Sequence, residues 1–138
     1  MSEENVEVIR RGWEAYARGD LAGALEAFTP DVVTVRDAAL LDPGTYHGRE
    51  GVLQSLFDWT ESFDEFEQTV LGHTDAGDRV ITRVRQEGKG THSGAPVAID
   101  VWMVSTFREG KIARFEFFAD EDAAREAAGL PATGSAQM

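Results

Sequence analysis

The chain has 138 residues, an apolar fraction of 42%, no cysteine and a formal net charge of −12. This length suits one domain with its own core, and the lack of cysteine excludes a disulfide scaffold and thiolate chemistry. The negative charge disfavours nucleic acid and anionic membranes as partners, because both bind basic surfaces. No apolar run reaches the ~20 residues that span a bilayer, and no signal peptide is recognisable at the N-terminus, so we predict a cytoplasmic protein.

The first third of the chain is predicted to be mostly helical. An amphipathic helix over residues 3–18 is indicated by apolar side chains that recur at helical spacing, namely Val6, Ile9, Trp13 and Tyr16. Gly19 interrupts this pattern, and Asp20 is placed to cap a second helix over about 20–28, which Pro30-Asp31 ends. Residues 32–37 are mostly β-branched and predict the first strand.

The rest of the chain is predicted to hold one longer helix and a run of strands. Residues 38–47 contain Pro43-Gly44 and predict a loop. A helix over about 49–62 follows, with an inner stripe that includes Leu53, Leu56 and Phe57. Strands are predicted over residues 66–74, 79–90, 96–108 and 111–118, and a short helix over 120–128. We therefore expect a single domain over residues 1–130 and a flexible tail over 131–138.

This order of elements predicts an α+β fold. Strands longer than the usual ~5–6 residues must twist and bend. A strongly bent antiparallel sheet wrapped by about three N-terminal helices forms a cone-shaped α+β barrel with one open mouth. Such a cone is suited to a small hydrophobic ligand.

Several short segments occur in a characteristic order along residues 5–128. They are Gly19-Asp20, Phe28-Thr29-Pro30-Asp31, Val35-Arg36-Asp37, His47-Gly48-Arg49-Glu50, Ala98-Ile99-Asp100-Val101 and Glu109-Gly110-Lys111-Ile112. In this order and spacing the chain resembles the nuclear transport factor 2-like superfamily, in its ketosteroid isomerase and SnoaL-like polyketide cyclase branch. The superfamily hosts isomerases, cyclases, dehydratases, epoxide hydrolases and non-catalytic scaffolds, so the resemblance implies a fold more sharply than an activity.

Asp37 is the leading candidate for a catalytic base. Strand alternation is expected to place Val33, Val35 and Asp37 on one apolar face, where poor solvation would raise the pKa of the carboxyl. The resemblance places Asp37 at the position of the isomerase's proton-transferring aspartate. The alternative is a carboxylate that caps a loop or pairs with a nearby arginine, and both interpretations stay open.

The resemblance fails at the oxyanion site of the isomerase. The positions of its tyrosine and its protonated aspartic acid fall on Gly12 and Met103, and neither side chain can donate a hydrogen bond. Tyr16 and Trp13, on the inner stripe of the first helix, are the nearest substitute donors. Their alternative role is ordinary core packing, which is the commoner one for aromatic side chains.

Two further residues are second choices for catalysis. Asp100 is expected on the outer face of its strand at a subunit contact, although the resemblance to SnoaL-like cyclases implies that an aspartate in this region can be catalytic. His92 lies in a turn where it could shuttle protons near the mouth, or simply face solvent. His73 is expected at the surface. No histidine spacing matches a metal site, so we expect neither a metal nor a cofactor.

The side chains expected to bind the ligand are apolar: Val35, Leu53, Leu56, Val101, Met103, Phe115 and Phe117. This lining suits a planar molecule, polyketide-like or steroid-like. One hypothesis is a cofactor-independent acid/base enzyme of the isomerase, cyclase or dehydratase type. The other is a non-catalytic ligand-binding or dimerisation module. A homodimer is expected through the outer face of the sheet, where Trp102 and Val104 lie.

Overall fold

The computed structural model describes residues 2–37, 44–61 and 63–131. In chain order the helices and strands of this part are α1 (Ser2–Ala17), α2 (Leu21–Leu25), β1 (Phe28–Arg36), β2 (Gly44–His47), α3 (Gly48–Thr60), β3 (Phe63–Asp75), β4 (Arg79–Gly90), β5 (Pro96–Arg108), β6 (Lys111–Phe118) and α4 (Glu121–Ala127). None of these helices is long and apolar enough to cross a membrane.

The six strands form one mixed sheet in the order β2-β1-β6-β5-β4-β3. β1 runs parallel to β6, whereas the other neighbours are antiparallel. Register shifts interrupt the pairings of β1 with β6, β3 with β4, and β5 with β6. Because such irregularities bend strands, the sheet curves around a concave face. The predicted α+β class with a strongly bent sheet is confirmed, but the sheet is open and one of its pairs is parallel.

The N-terminal helices pack on the concave face of the sheet, and α4 packs on the opposite face. Ile9 of α1 joins a buried cluster with Val80 of β4 and Ile112 of β6. On the convex face, Ala124 of α4 packs with Val104, which is fully buried. The expectation that Val104 needs a partner subunit to cover it was therefore wrong, because α4 of the same chain covers it.

The predicted strands over 79–90, 96–108 and 111–118 match β4, β5 and β6 at both ends. The N-terminal third differs. Helix α2 is short, and residues 28–31 belong to β1. Pro30 has no backbone N–H to donate to a neighbouring strand, and it is accommodated because the pairing of β1 with β6 is interrupted between Phe28 and Val33. Residues 44–47 of the predicted loop form strand β2. The rest of that loop, residues 38–43, and residues 132–138 of the predicted tail lie outside the described residues.

The two faces of β1 are opposite to the prediction. Val32, Thr34 and Arg36 are buried, with exposed fractions of 0%, 1% and 2%. Val33 and Val35 are only half-buried and alternate with them. The prediction of the inner face was wrong because it assumed that Arg36 lies on the outer face, where arginine is usually found.

Arg36 can be buried because its guanidinium is contacted by hydrogen-bond acceptors and by aromatic rings. Its Nη2 donates to the carbonyl oxygen of Ser55 at 2.5 Å and to the Ser55 hydroxyl at 2.9 Å. The guanidinium also lies 5.6 Å from the ring centre of Tyr46 and 5.1 Å from that of Trp59. These contacts replace much of the lost hydration and let the face of β1 that carries Arg36 turn inward.

Candidate functional site

A cavity of about 100 Å³ lies between the concave face of the sheet and helices α1, α2 and α3, and it opens to solvent. Side chains from β1, β3 and β4 reach it, although β1 and β4 are separated by two strands in the sheet, so the sheet curves strongly around it. Its apolar walls include Ile9, Leu21, Leu25, Phe28, Val52, Leu53, Leu56, Met103, Ile112, Phe115 and Phe117. No acidic, basic or histidine side chain among the described residues lines it.

A chain of amide groups forms one polar part of the wall. The indole N–H of Trp59 donates to Oε1 of Gln86 at 2.8 Å, and Nε2 of Gln86 donates to Oε1 of Gln68 at 2.9 Å. Because an indole nitrogen can only donate, it sets the orientation of both amides. All three residues line the cavity, and the chain ends in the amide nitrogen of Gln68.

A second polar part of the wall is the hydroxyl of Thr82 on β4. This side chain is 1% exposed, and its Oγ1 lies 3.0 Å from Nδ1 of His73 on β3. His73 is half-buried, so the expectation of a surface histidine was wrong. Burial lowers the pKa of His73, and the nearby charge of Arg10 on α1 lowers it further.

Thr34 on β1 provides a third polar group. Its side chain is 1% exposed and lines the cavity, and its Oγ1 has no hydrogen-bond partner in the described part of the chain. Its neighbour across the parallel pairing with β6 is Phe115, whose side chain also lines the cavity. Thr34 thus lies beside an aromatic residue in the wall.

Helix α1 brings both predicted donors to the cavity. Trp13 and Tyr16 line it and meet edge to face, with ring centres 6.1 Å apart. Burial raises the pKa of Tyr16, so its phenol keeps its proton at neutral pH and can act as a donor. Five of the predicted ligand-binding residues line the same cavity: Leu53, Leu56, Met103, Phe115 and Phe117.

Two predicted ligand-binding residues do not line the cavity. Val35 lies on the other face of β1 from Thr34. Val101 is on the concave side, as expected, but it is 1% exposed and packs behind the wall with Trp59 and Met103. Their expected contact with the ligand is therefore not supported by the lining.

Asp37 follows the last residue of β1 at the margin of the site. It is half-buried, and its backbone N–H donates to the carbonyl oxygen of Phe117 at 3.0 Å. Its side chain does not line the cavity, whereas that of Phe117 does. Its role as a base stays a prediction.

The other two catalytic candidates lie away from the cavity. Asp100 is on the convex face, where Nε of Arg83 at 3.0 Å and Nε of Arg85 at 2.8 Å donate to its carboxylate. The hydrogen bond from Arg85, followed by that from Arg83, lowers the pKa of Asp100. His92 is exposed in the turn between β4 and β5. No group of three or more potential metal ligands occurs among residues 2–37, 44–61 and 63–131.

The polar side chains that α3, β1, β3 and β4 contribute to the wall were not predicted from the sequence. Trp59 could have been found, since it lies three residues after Leu56 on the inner stripe of α3, where Phe57 was expected instead and is 51% exposed. Gln68 and Gln86 face each other only because β3 and β4 pair in this register, which no local pattern reveals. Thr34 was missed because the faces of β1 were exchanged.

Comparisons with known proteins agree with this architecture. Uncharacterized proteins of Mycobacterium tuberculosis and Mycobacterium bovis are each 30% identical to the chain over 123 residues, covering 86% of it and 91% of theirs. An NTF2-like protein from Burkholderia thailandensis has a TM-score of 0.75 at 25% identity, covering 92% of this chain and 98% of that one.

Two further solved structures share the fold and contain small molecules. TerC co-crystallized with polyporic acid has a TM-score of 0.71 at 24% identity, covering 91% of this chain and 98% of that one. A protein with a ketosteroid isomerase-like fold from Catenulispora acidiphila, in complex with trimethylamine, has a TM-score of 0.67 at 18% identity, covering 91% and 94%. The model of the SnoaL-like domain matches residues 9–115. The predicted relationship is confirmed, and the chain belongs to the SnoaL-like domain family.

Proposed function

We propose that the protein binds a small, uncharged and largely apolar molecule in the cavity on the concave face. The observation that carries this proposal is the lining, which has no charged side chain in the described part of a chain with net charge −12. A charged ligand would lose its hydration without gaining a partner, which costs several kcal/mol or more. An apolar ring would instead exchange water for the aromatic and aliphatic walls.

The size of the cavity favours a molecule with one or two rings. A dry apolar cavity of about 150 Å³ in another protein holds benzene, so about 100 Å³ with an open mouth accommodates one ring and lets a longer ligand protrude. Leu21 lines the cavity and is 36% exposed, which places it at this opening. The structures of TerC with polyporic acid and of the Catenulispora protein with trimethylamine support small-molecule binding by this fold.

The test uses the three tryptophans as reporters, because Trp13 and Trp59 line the cavity while Trp102 lies on the convex face. Titration with p-xylene should shift the indole N–H resonances of Trp13 and Trp59 in ¹⁵N NMR spectra and leave that of Trp102 in place. Ala24→Leu fills the wall on α2 and should weaken binding by about tenfold through overpacking.

The matched control is Ala22→Leu, which changes an exposed position on the same helix that does not line the cavity. It should bind p-xylene as the wild type does. Unchanged indole resonances at millimolar p-xylene, or equal weakening by both leucine variants, would contradict binding in this cavity.

A second candidate function is proton transfer with Asp37 as the base. The position of Asp37 in the chain supports it, because the bond from its backbone N–H to the carbonyl oxygen of Phe117 fixes the end of β1 beside a residue whose side chain lines the cavity. Tyr16, which keeps its proton, would donate to the oxygen of a carbonyl as the enol forms.

This activity can be measured as exchange of the α-hydrogens of cyclohexanone in D₂O. The wild type should accelerate the exchange, and Asp37→Asn should lower the rate by about 10²–10⁴, as expected for loss of a general base. The control is Asp20→Asn, since the carboxylate of Asp20 caps α2 and does not line the cavity. If Asp37→Asn exchanges at the wild-type rate, Asp37 is not the base.

We also propose that the protein forms a homodimer through the convex face, as expected from the sequence. Leu71 on the edge strand β3 is 46% exposed and lines a groove on this face together with Trp102 and Arg83. The Arg83 guanidinium lies 5.5 Å from the ring centre of Trp102. An apolar residue beside a stacked cation and an aromatic ring is typical of protein interfaces. The cytoplasmic location stays a prediction.

A further inference from the structure

The hydroxyl of Thr34 differs from the polar groups of Thr82 and Gln86, which also line the cavity. The Thr82 hydroxyl lies in hydrogen-bond contact with His73, and the Gln86 amide is engaged by Trp59 and Gln68. The Thr34 hydroxyl is as deeply buried as these groups, at 1% exposure, yet no atom of the described residues pairs with it.

A buried hydroxyl without a partner is unfavourable, because it has lost its hydrogen bonds to water and gained none in exchange. More than about 90% of buried polar groups in native proteins are paired, so each exception calls for an explanation. Thr34 lies in the wall of a ligand-sized cavity. An atom of a bound molecule is therefore the partner that this position can recruit.

The surroundings of Thr34 limit the chemistry of that partner. A threonine hydroxyl both donates and accepts, so it can pair with a hydroxyl or with a carbonyl oxygen. Its neighbour on β6 is Phe115, whose ring packs edge to face with those of Phe28 and Phe117 at centre distances of 5.3 and 4.8 Å. A ring lying against this aromatic wall would present a ring substituent to the hydroxyl.

We propose that Thr34 is the hydrogen-bonding anchor of the cavity and that the ligand is an uncharged ring compound carrying a hydroxyl or carbonyl oxygen. This inference rests on the proposed binding function and specifies its ligand class. Thr34 distinguishes oxygenated rings from plain hydrocarbons, because a hydrocarbon in the same place leaves the hydroxyl unpaired.

The experiment compares p-cresol with p-xylene, two probes that differ by a hydroxyl in place of a methyl group. The wild type should bind p-cresol more tightly, as measured by NMR titration of the Trp13 and Trp59 indole resonances. Thr34→Val keeps the shape of the side chain and removes the hydroxyl. It should weaken the binding of p-cresol by about fivefold, the typical net contribution of one hydrogen bond, and change the affinity for p-xylene by less than about twofold.

Two more variants separate the anchor from a general effect on folding. Thr34→Ser keeps a hydroxyl and should retain the preference for p-cresol. Thr29→Val alters a buried threonine on the same strand that does not line the cavity, and it should leave the ratio of the two affinities unchanged. The thermal midpoint of ligand-free Thr34→Val should equal or exceed that of the wild type, because the valine buries no unpaired hydroxyl.

The outcomes distinguish this inference from the proposed function. If the wild type binds both probes and Thr34→Val keeps the same preference, the anchor is refuted while the binding function stands. Equal weakening of both probes by Thr34→Val also refutes the anchor, since the hydroxyl would then act only on packing. If neither probe binds the wild type, the proposed function fails and the anchor fails with it.

Discussion

At the scale of single residues, His73 makes the stability of the protein depend on pH. Its pKa is lowered in the folded state, first by burial and then by Arg10, whose own partner is Glu7 at 2.8 Å. The unfolded chain therefore binds the proton more readily than the native protein does. The contribution of His73 to the free energy of unfolding is therefore fully present above the ordinary histidine pKa of 6.5, and it is lost as the pH falls below that value.

Urea unfolding at pH 7.5 and pH 5.5 tests this dependence. The wild type should lose more stability between the two pH values than His73→Gln, which cannot take up the proton. His92→Gln, at an exposed position in a turn, should lose as much as the wild type. Equal pH dependence in the wild type and in His73→Gln would mean that His73 does not carry the effect.

At the scale of secondary-structure elements, the sequence predicts those strands whose limits are marked by turn residues and whose faces differ clearly in polarity. Alternation along β5 correctly placed Met103 on the concave side and Asp100 on the convex side. The same argument failed on β1, because Thr34 and Arg36 are polar side chains on the buried face. Alternation identifies a buried face only when that face is the more apolar one.

The candidate site likewise has one part that the sequence predicts and one part that it does not. The apolar wall and the contribution of α1 were predictable, since both depend on local periodicity. The hydrogen bonds between its polar groups were not, because they depend on contacts between distant segments. Trp59 and Gln86 come from α3 and β4, and Thr82 meets His73 through the pairing of β4 with β3. The burial of Arg36 was not predictable either, because the side chains that surround its guanidinium come from other segments of the chain.

At the scale of the whole molecule, the proposed dimer predicts that a charge on the convex face separates the subunits. Light scattering at micromolar concentration should give the mass of two chains for the wild type and of one chain for Leu71→Glu. Phe57→Glu is the matched control, because Phe57 is an exposed apolar residue on helix α3 rather than on the sheet. It should remain dimeric. A monomeric wild type would contradict the proposal.

The parallel pairing of β1 with β6 has a consequence for how the protein assembles. It joins Phe28 to Ile112 and Arg36 to Phe117, whereas β3 to β6 are joined in sequence by short hairpins. The entropic cost of closing the loop between β1 and β6 grows only with the logarithm of its length, so the length of this loop lowers the stability little. Contacts between residues so distant in sequence do, however, slow folding. The wall that carries Thr34 is thus completed only by an encounter between the two ends of the domain.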